Sequence, residues 1–325
     1  MTQTICFAIR TILGGALLSA VVCAAAQTYP TKPVRLIVPL AAGGPSDIMA
    51  RTVGQKLTDM LGQSVIVDNR PGAAGIIGHD ITAKSAPDGY TILLVSNSFV
   101  VNPSLYSKVP HDTLRDFAPI TLLAVAPYIL TVHPSVPFKS VKELVAFAKS
   151  KPGQLSYGSG GAGTGTHMVM ELFKATAGIN ILHVPYKGSG PAIADLLGGQ
   201  VQMLFVNALP IMPHIRAGKL RALAVSSTER LAIASDIPTV SESGLPKFDD
   251  YGIFGIVAPA GTPRQVINRL SGEIVGVMKL PDVQARLASE GATVVASSPE
   301  EFSKFIVSEV AKWAKVIKTA GIRVE

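Results

Sequence analysis

The sequence is poor in the residues that most often cross-link a chain or attack a substrate. Of 325 residues only two are cysteines, Cys6 and Cys23. Both fall within the first 26 residues, so the rest of the chain offers no disulfide, no thiol nucleophile and no cysteine metal site. Charged residues make up only 16%, and the net charge of +7 is scattered, with no run of five or six like charges. Nucleic-acid binders cluster their Lys and Arg, so that partner class is set aside. The six histidines (79, 111, 133, 167, 183 and 214) lack H-E-x-x-H or any other ligand spacing. No metal site is expected; most histidines are expected on surfaces or loops, with only His167 placed to meet a ligand. A membrane span is missing too. The apolar run after Arg10, "TILGGALLSAVVCAAA", is shorter than the roughly 20 residues a span needs. A charged start, a short apolar stretch and small residues at Ala24–Ala26 instead match a secretory signal peptide over residues 1–26, cleaved near Ala26. Val22 is too large for the residue that precedes a lipoprotein cysteine.

What is present is glycine, proline and alternating periodicity. Strand-like "VRLIVPL" (34–40) precedes a helix-like repeat through about Gly62, then "SVIVDN" (64–69) and "YTILLVS" (90–96). Such βαβ spacing predicts parallel sheets flanked by helices. The middle of the chain repeats the plan with "QLSYGSG", "INILHVPYKG", "VQMLFVN" and "LRALAVSS". Helix starts are marked at Ser140, and by Thr262-Pro263 and Ser298-Pro299, each read as a cap with proline at the first helical position. The apolar segments near 125–135 and 251–261 read as two crossings between lobes. Residues 27–125 with 253–325 then form a discontinuous first lobe, and 126–252 the second. Trp313 is expected to pack on an amphipathic terminal helix.

Two glycine-rich turns stand between a strand and a helix. Ala41-Ala42-Gly43-Gly44-Pro45-Ser46-Asp47 offers backbone amides at a helix start and almost no reactive side chains, which suits an anion. Asp47 either braces the first helical turn against the helix dipole or contacts the ligand. In "YGSGGAGTGTH", Gly158, Gly160 and Gly163 fit G-x-G-x-x-G, but the acid expected about 20 residues on is missing. Lys187 in that region offers only a possible 2′-phosphate contact. Ser159 has Tyr157 rather than glycine two residues before it, so a nucleophile elbow is absent. An exported hydrolase or an NADP-type enzyme using the Gly158–Gly163 loop is the alternative reading. Asn207 ends a strand where its side chain can reach a cleft, or simply caps a loop.

Several segments together resemble one family. "YPTKPVRLIVPLAAGGPSDIMAR", "GQSVIVDNRPGAAGIIGHDITAKSAPDGYTILL", "VNPSLY", "DFAPIT", "HVPYKGSGPAIADLLGGQVQM", "IRAGKLRALAVSS" and "VAPAGTP" are similar to the Bug family, the extracytoplasmic solute receptors of tripartite tricarboxylate transporters. The resemblance runs through essentially the whole chain after residue 26. It implies an α/β, type II periplasmic-binding-protein fold whose two lobes are joined by crossing strands and close around a small organic carboxylate. It also implies a periplasmic location, transient delivery to transporter membrane subunits, no cofactor, no catalysis and a monomer. Carried over, the first anion loop is Ala41, Ala42, Gly43, Gly44 and Ser46, with Asp47 at its acidic position. The second is Ser159, Gly160, Gly163 and Thr164, beside His167, and the "VPYKG" turn adds Tyr186 and Lys187. Specificity is expected from Asn97, Phe99, Tyr186, Asn207 and Phe254. The family's loop often reads Pro-Pro-Gly-Gly with Ala-Thr-Asp; Ala41-Ala42 and Pro45-Ser46 depart from it, so no relative's ligand transfers directly.

Overall fold

In a computed structural model of the chain, the described residues are 29–322 apart from Glu290. The expected signal peptide and both cysteines lie outside them. The chain opens with β1 (Val34–Val38), α1 (Pro45–Leu61), β2 (Val65–Asn69), α2 (Ile76–Ala83), β3 (Thr91–Val95) and α3 (Asn97–Leu105). β1 pairs in parallel with both β2 and β3. A strand so placed is covered on both faces, which is why "VRLIV" is nearly continuous in apolar residues rather than alternating.

β4 (Phe117–Val132) then leaves this half. After it come α4 (Val141–Ser150), β5 (Ser156–Ser159), α5 (Gly165–Ala177), β6 (Leu182–Pro185), α6 (Ser189–Leu197), β7 (Met203–Asn207), α7 (Ala208–Arg216) and β8 (Arg221–Val225). The chain returns on β9 (Tyr251–Pro259), followed by α8 (Arg264–Met278), α9 (Pro281–Ser289), β10 (Thr293–Val294) and α10 (Pro299–Ala320). One sheet runs β2-β1-β3-β9-β4; β4 continues into the other, through β7 and β5 to β6. From Phe117 to Pro127, β4 lies antiparallel to β9; from Tyr128 onward its partners are β7 and β8. The sheets are therefore mixed rather than wholly parallel. A strand that carries the chain out and another that brings it back must run in opposite directions.

Each half has its own apolar interior. On one face of the first sheet Leu36, Val53, Ile274 and Met278 pack together; on the other, Ile37, Leu93, Phe302 and Trp313 do. Trp313 is 1% exposed, in keeping with a packing role. Gly255 in β9 is required here, since a Cβ would meet the Phe302 ring at 2.2 Å. In the second half Tyr157, Phe173 and Phe205 cover one face, and Ile193, Leu204 and Ile211 the other.

Two local expectations need correction. Thr262 does not cap α8: Pro263 itself is the N-cap, and the Thr262 hydroxyl donates to Pro259 O at 2.7 Å. Ser298 does form a reciprocal box with Glu301. The histidines are more buried than expected, although His111 and His133 do lie in loops. His79, His111 and His167 are buried and the other three half-buried. His79 and His111 act as aromatic rings, packed edge-on against each other, Phe99 and Phe117 at centroid distances of 5.3–5.6 Å. Finally, α3 carries Pro103 in its interior and has no clear apolar stripe, so the sequence gives little sign of it.

Candidate ligand-binding cleft

Five helices begin at the junction of the two halves. The starts of α1 (Pro45, Ser46), α3 (Ser96, Asn97), α5 (Thr164, Gly165, Thr166), α6 (Ser189) and α7 (Asn207) all line one cavity. The first amides of a helix have no intrahelical acceptor, and side chains normally satisfy one of them. At these five N-caps (Gly44, Ser96, Thr164, Gly188 and Asn207) no side chain does so. Away from the cleft, Ser140 and Ser298 cap α4 and α10 in the ordinary way. The cleft thus gathers the positive ends of five helix dipoles with no side-chain acceptor on their first amides, and without an acidic or basic side chain on its lining. Such a site can hold an anion through backbone groups alone.

The first glycine loop is held from beneath by Asp47. Its Oδ2 accepts Gly43 N at 3.0 Å and Arg51 Nε at 3.0 Å, and Arg51 Nη2 sits 3.0 Å from Oδ1. Burial alone would raise the Asp47 pKa, but the Arg51 and Gly43 hydrogen bonds outweigh it and hold the carboxyl below its ordinary value. Gly43 has φ +79°, a left-handed turn that glycine takes without strain.

The second loop is held by hydroxyls and imidazoles. Gly160 N donates to Thr166 Oγ1 at 2.8 Å, and Thr164 Oγ1 donates to Gly161 O at 2.7 Å. Ser159 Oγ accepts Gly161 N at 3.0 Å and shares a 2.6 Å hydrogen bond with His183 Nε2. Gly163 N donates to His167 Nδ1 at 3.2 Å. The His167 ring must be neutral to accept there. Burial lowers the His183 pKa to about 3 and the His167 pKa to about 4, the latter against the pull of Glu171.

The two halves meet closely. Ala41 N donates to Lys187 O at 3.0 Å, and Tyr106 OH to Ala162 O at 2.5 Å. Gly190 lies against the first loop so tightly that a Cβ would come within 2.2 Å of Ala42 O. The cavity between the halves measures about 30 Å³, room for about two water molecules. At its floor, Asn97 ties the crossing segments together: Nδ2 donates to Tyr251 O at 3.0 Å, and Oδ1 accepts Ile253 N at 3.0 Å and Tyr128 OH at 3.1 Å.

The expected site residues thus divide. Ser46, Asn97, Thr164, Asn207 and Phe254 line the cavity. Ala41, Ala42, Gly43 and Gly44 form the edge that meets α6, while Ser159, Gly160, Gly163 and His167 support the second loop from behind. Phe99 is buried among the aromatic rings of the first half. Tyr186 points its hydroxyl at Asp195 Oδ2, 2.6 Å away, and Lys187 is exposed. Sequence reasoning missed Ser96, Tyr128, Thr166, Ser189 and Gly252. Ser96 and Ser189 each stand just before or at a helix start after a strand, a signal that could have found them.

Residues 49–322 match the family described as the tripartite tricarboxylate transporter family receptor. Protein BugT of Bordetella pertussis is 39% identical to the chain over 302 residues, 92% of this chain and 93% of BugT. The structure of the periplasmic binding protein BugD is similar with TM-score 0.89 and 34% identity, over 91% of this chain and 100% of that one. The structure of R. palustris Rpa4515 with adipate is similar with TM-score 0.88 and 35% identity, over 91% of this chain and 99% of that one.

Proposed function

Because the chain belongs to the tripartite tricarboxylate transporter receptor family, we propose that it is a periplasmic receptor for a small organic carboxylate. It captures the acid by lobe closure and passes it to the membrane subunits of such a transporter, acting as a monomer without catalysis. The carrying observation is the convergence of five uncapped helix starts on one cavity that has no ionised side chain on its lining. An anion in a dry cavity needs donors, and these amides are donors already fixed in place. The adipate bound by the related Rpa4515 supports the same ligand class.

A six-carbon diacid does not fit in about 30 Å³, so the lobes, residues 27–125 with 253–325 and residues 126–252, must part to admit it. The change of partner along β4 at Pro127/Tyr128, and the return at Asp250–Gly252, form the pivot of that motion. Ser159, the serine a hydrolase would use, is fully buried and committed to its own loop, which favours a receptor over an enzyme. A thermal-shift screen against mono-, di-, tri- and aromatic carboxylates tests the reading. At least one class raises the melting temperature in a saturable way without being consumed; flat melting temperatures across the panel would sink it.

A further inference from the structure

Asn207 ends β7 and stands at the N-cap of α7, yet its side chain does not cap that helix. Its Nδ2 instead donates to Ala126 O at 2.7 Å and to Pro127 O at 3.2 Å. These carbonyls decide which way round the amide sits, because a reversed amide would set its oxygen against two other acceptors. Both N–H groups are therefore taken by the pivot, and Oδ1 has no hydrogen-bond partner among the described residues. Asn207 is 4% exposed and lines the cavity. Gly252 on the returning strand leaves the space its amide occupies, for a Cβ there would lie 2.7 Å from Nδ2 and 3.0 Å from Oδ1. Asn97 is the opposite case: its Oδ1 already accepts both Ile253 N and Tyr128 OH.

In a cavity of donors, Asn207 therefore contributes a fixed acceptor. A carboxylate oxygen placed against it is repelled, and a methylene leaves it desolvated and unpaired. An ammonium would suit the oxygen but not the cavity, which has five helix N-termini and no carboxylate on its lining. A neutral hydroxyl suits both. Resting on the reading of the cleft as a carboxylate site, we propose that Asn207 Oδ1 selects hydroxycarboxylates over their unsubstituted counterparts by accepting the ligand's hydroxyl proton.

Matched acid pairs test this by calorimetric titration of the secreted form: propionate with lactate, succinate with malate, and glutarate with 2-hydroxyglutarate. In at least one pair the hydroxy acid binds on the order of tenfold more tightly. Asn207→Leu brings that ratio close to one: both acids lose whatever the two pivot bonds supply, and the hydroxy acid loses about tenfold more. Asn207→Ser, short enough to cap α7, makes the same comparison where the leucine variant does not fold. A hydroxy acid bound no better than its plain partner in every pair overturns the proposal and leaves the carboxylate reading standing. Equal losses for both members in the variants also overturn it, and reduce Asn207 to a brace of the pivot. If no acid of any pair binds, both readings fall.

Discussion

Asp47 is an acid set beside a site that gathers positive helix ends, and its position turns on what its oxygens touch. Gly43 N and Arg51 occupy them, so the carboxylate supports the loop from below. Its lowered pKa makes it stabilising above the ordinary carboxylate range, and that contribution is lost as pH falls through the depressed folded value. Asp47→Ala strips the Gly43 amide of its acceptor. The expected cost is about 1–3 kcal/mol of stability at pH 7, with weaker ligand binding because the loop loses its shape. Asp47→Asn keeps one acceptor and has a smaller effect of the same sign. Urea melts and calorimetry on both variants check this. Tighter binding of a dianion by Asp47→Asn would show that the native charge repels the ligand instead of bracing the loop.

Helices carry the difference between scaffold and site. Ser140 and Ser298 cap helix starts that lie away from the cleft, whereas none of the five starts at the cleft has a side-chain cap. Gly44, the N-cap of α1, has φ −89°, and a Cβ there would make ordinary contacts of 3.5–3.6 Å with Gly190 and Ser189. Gly44→Asp should therefore be accommodated, and its carboxylate should cap α1 from within the chain. The unliganded protein is expected to gain a few tenths of a kcal/mol, roughly 1 °C or less in melting temperature, and to lose carboxylate binding. A variant that binds as tightly as the parent would mean the α1 amides are not the anion site. The residue pattern made these helix starts legible because Gly-Gly-Pro-Ser and Gly-Thr-Gly-Thr are local signals. It hid α3, whose Pro103 breaks the expected period, and Tyr128, which is one more apolar position of a long strand until β4 changes partner. The histidines misled for a related reason. Sequence reads imidazole as polar, whereas burial keeps these rings neutral and lets them pack as aromatics.

For the molecule as a whole, the segment that returns the chain to the first half contains a group whose charge opposes folding at neutral pH. Asp250 lies where the chain returns to the first half, and Ser226 holds it at both main-chain atoms: Asp250 N donates to Ser226 O, and Ser226 Oγ to Asp250 O. Burial pushes its pKa from 3.8 up to about 7, against the opposing pull of Lys312, while Glu309 and Asp249 push the same way as burial. A raised folded pKa means the folded state holds the proton more tightly than the unfolded chain. The stabilisation is fully present below about pH 4 and is lost as pH rises from there to about 7. His183, His167 and His79 work oppositely, with folded values of about 3, 4 and 3 against 6.5 unfolded. They leave the fold most stable above pH 6.5 and weaken it as pH falls toward those values. Three such rings against one acid predict a net loss of stability between pH 7 and 5. Asp250→Asn removes the opposing term alone. It keeps the shape of the side chain and cannot ionise, so its melting temperature should exceed the parent's at pH 8, and the gap should close by pH 4. Melting curves at half-unit steps across that range measure the gap directly. A gap that is constant with pH would mean Asp250 is neutral throughout or already compensated by Lys312, and that this segment carries no titrating charge.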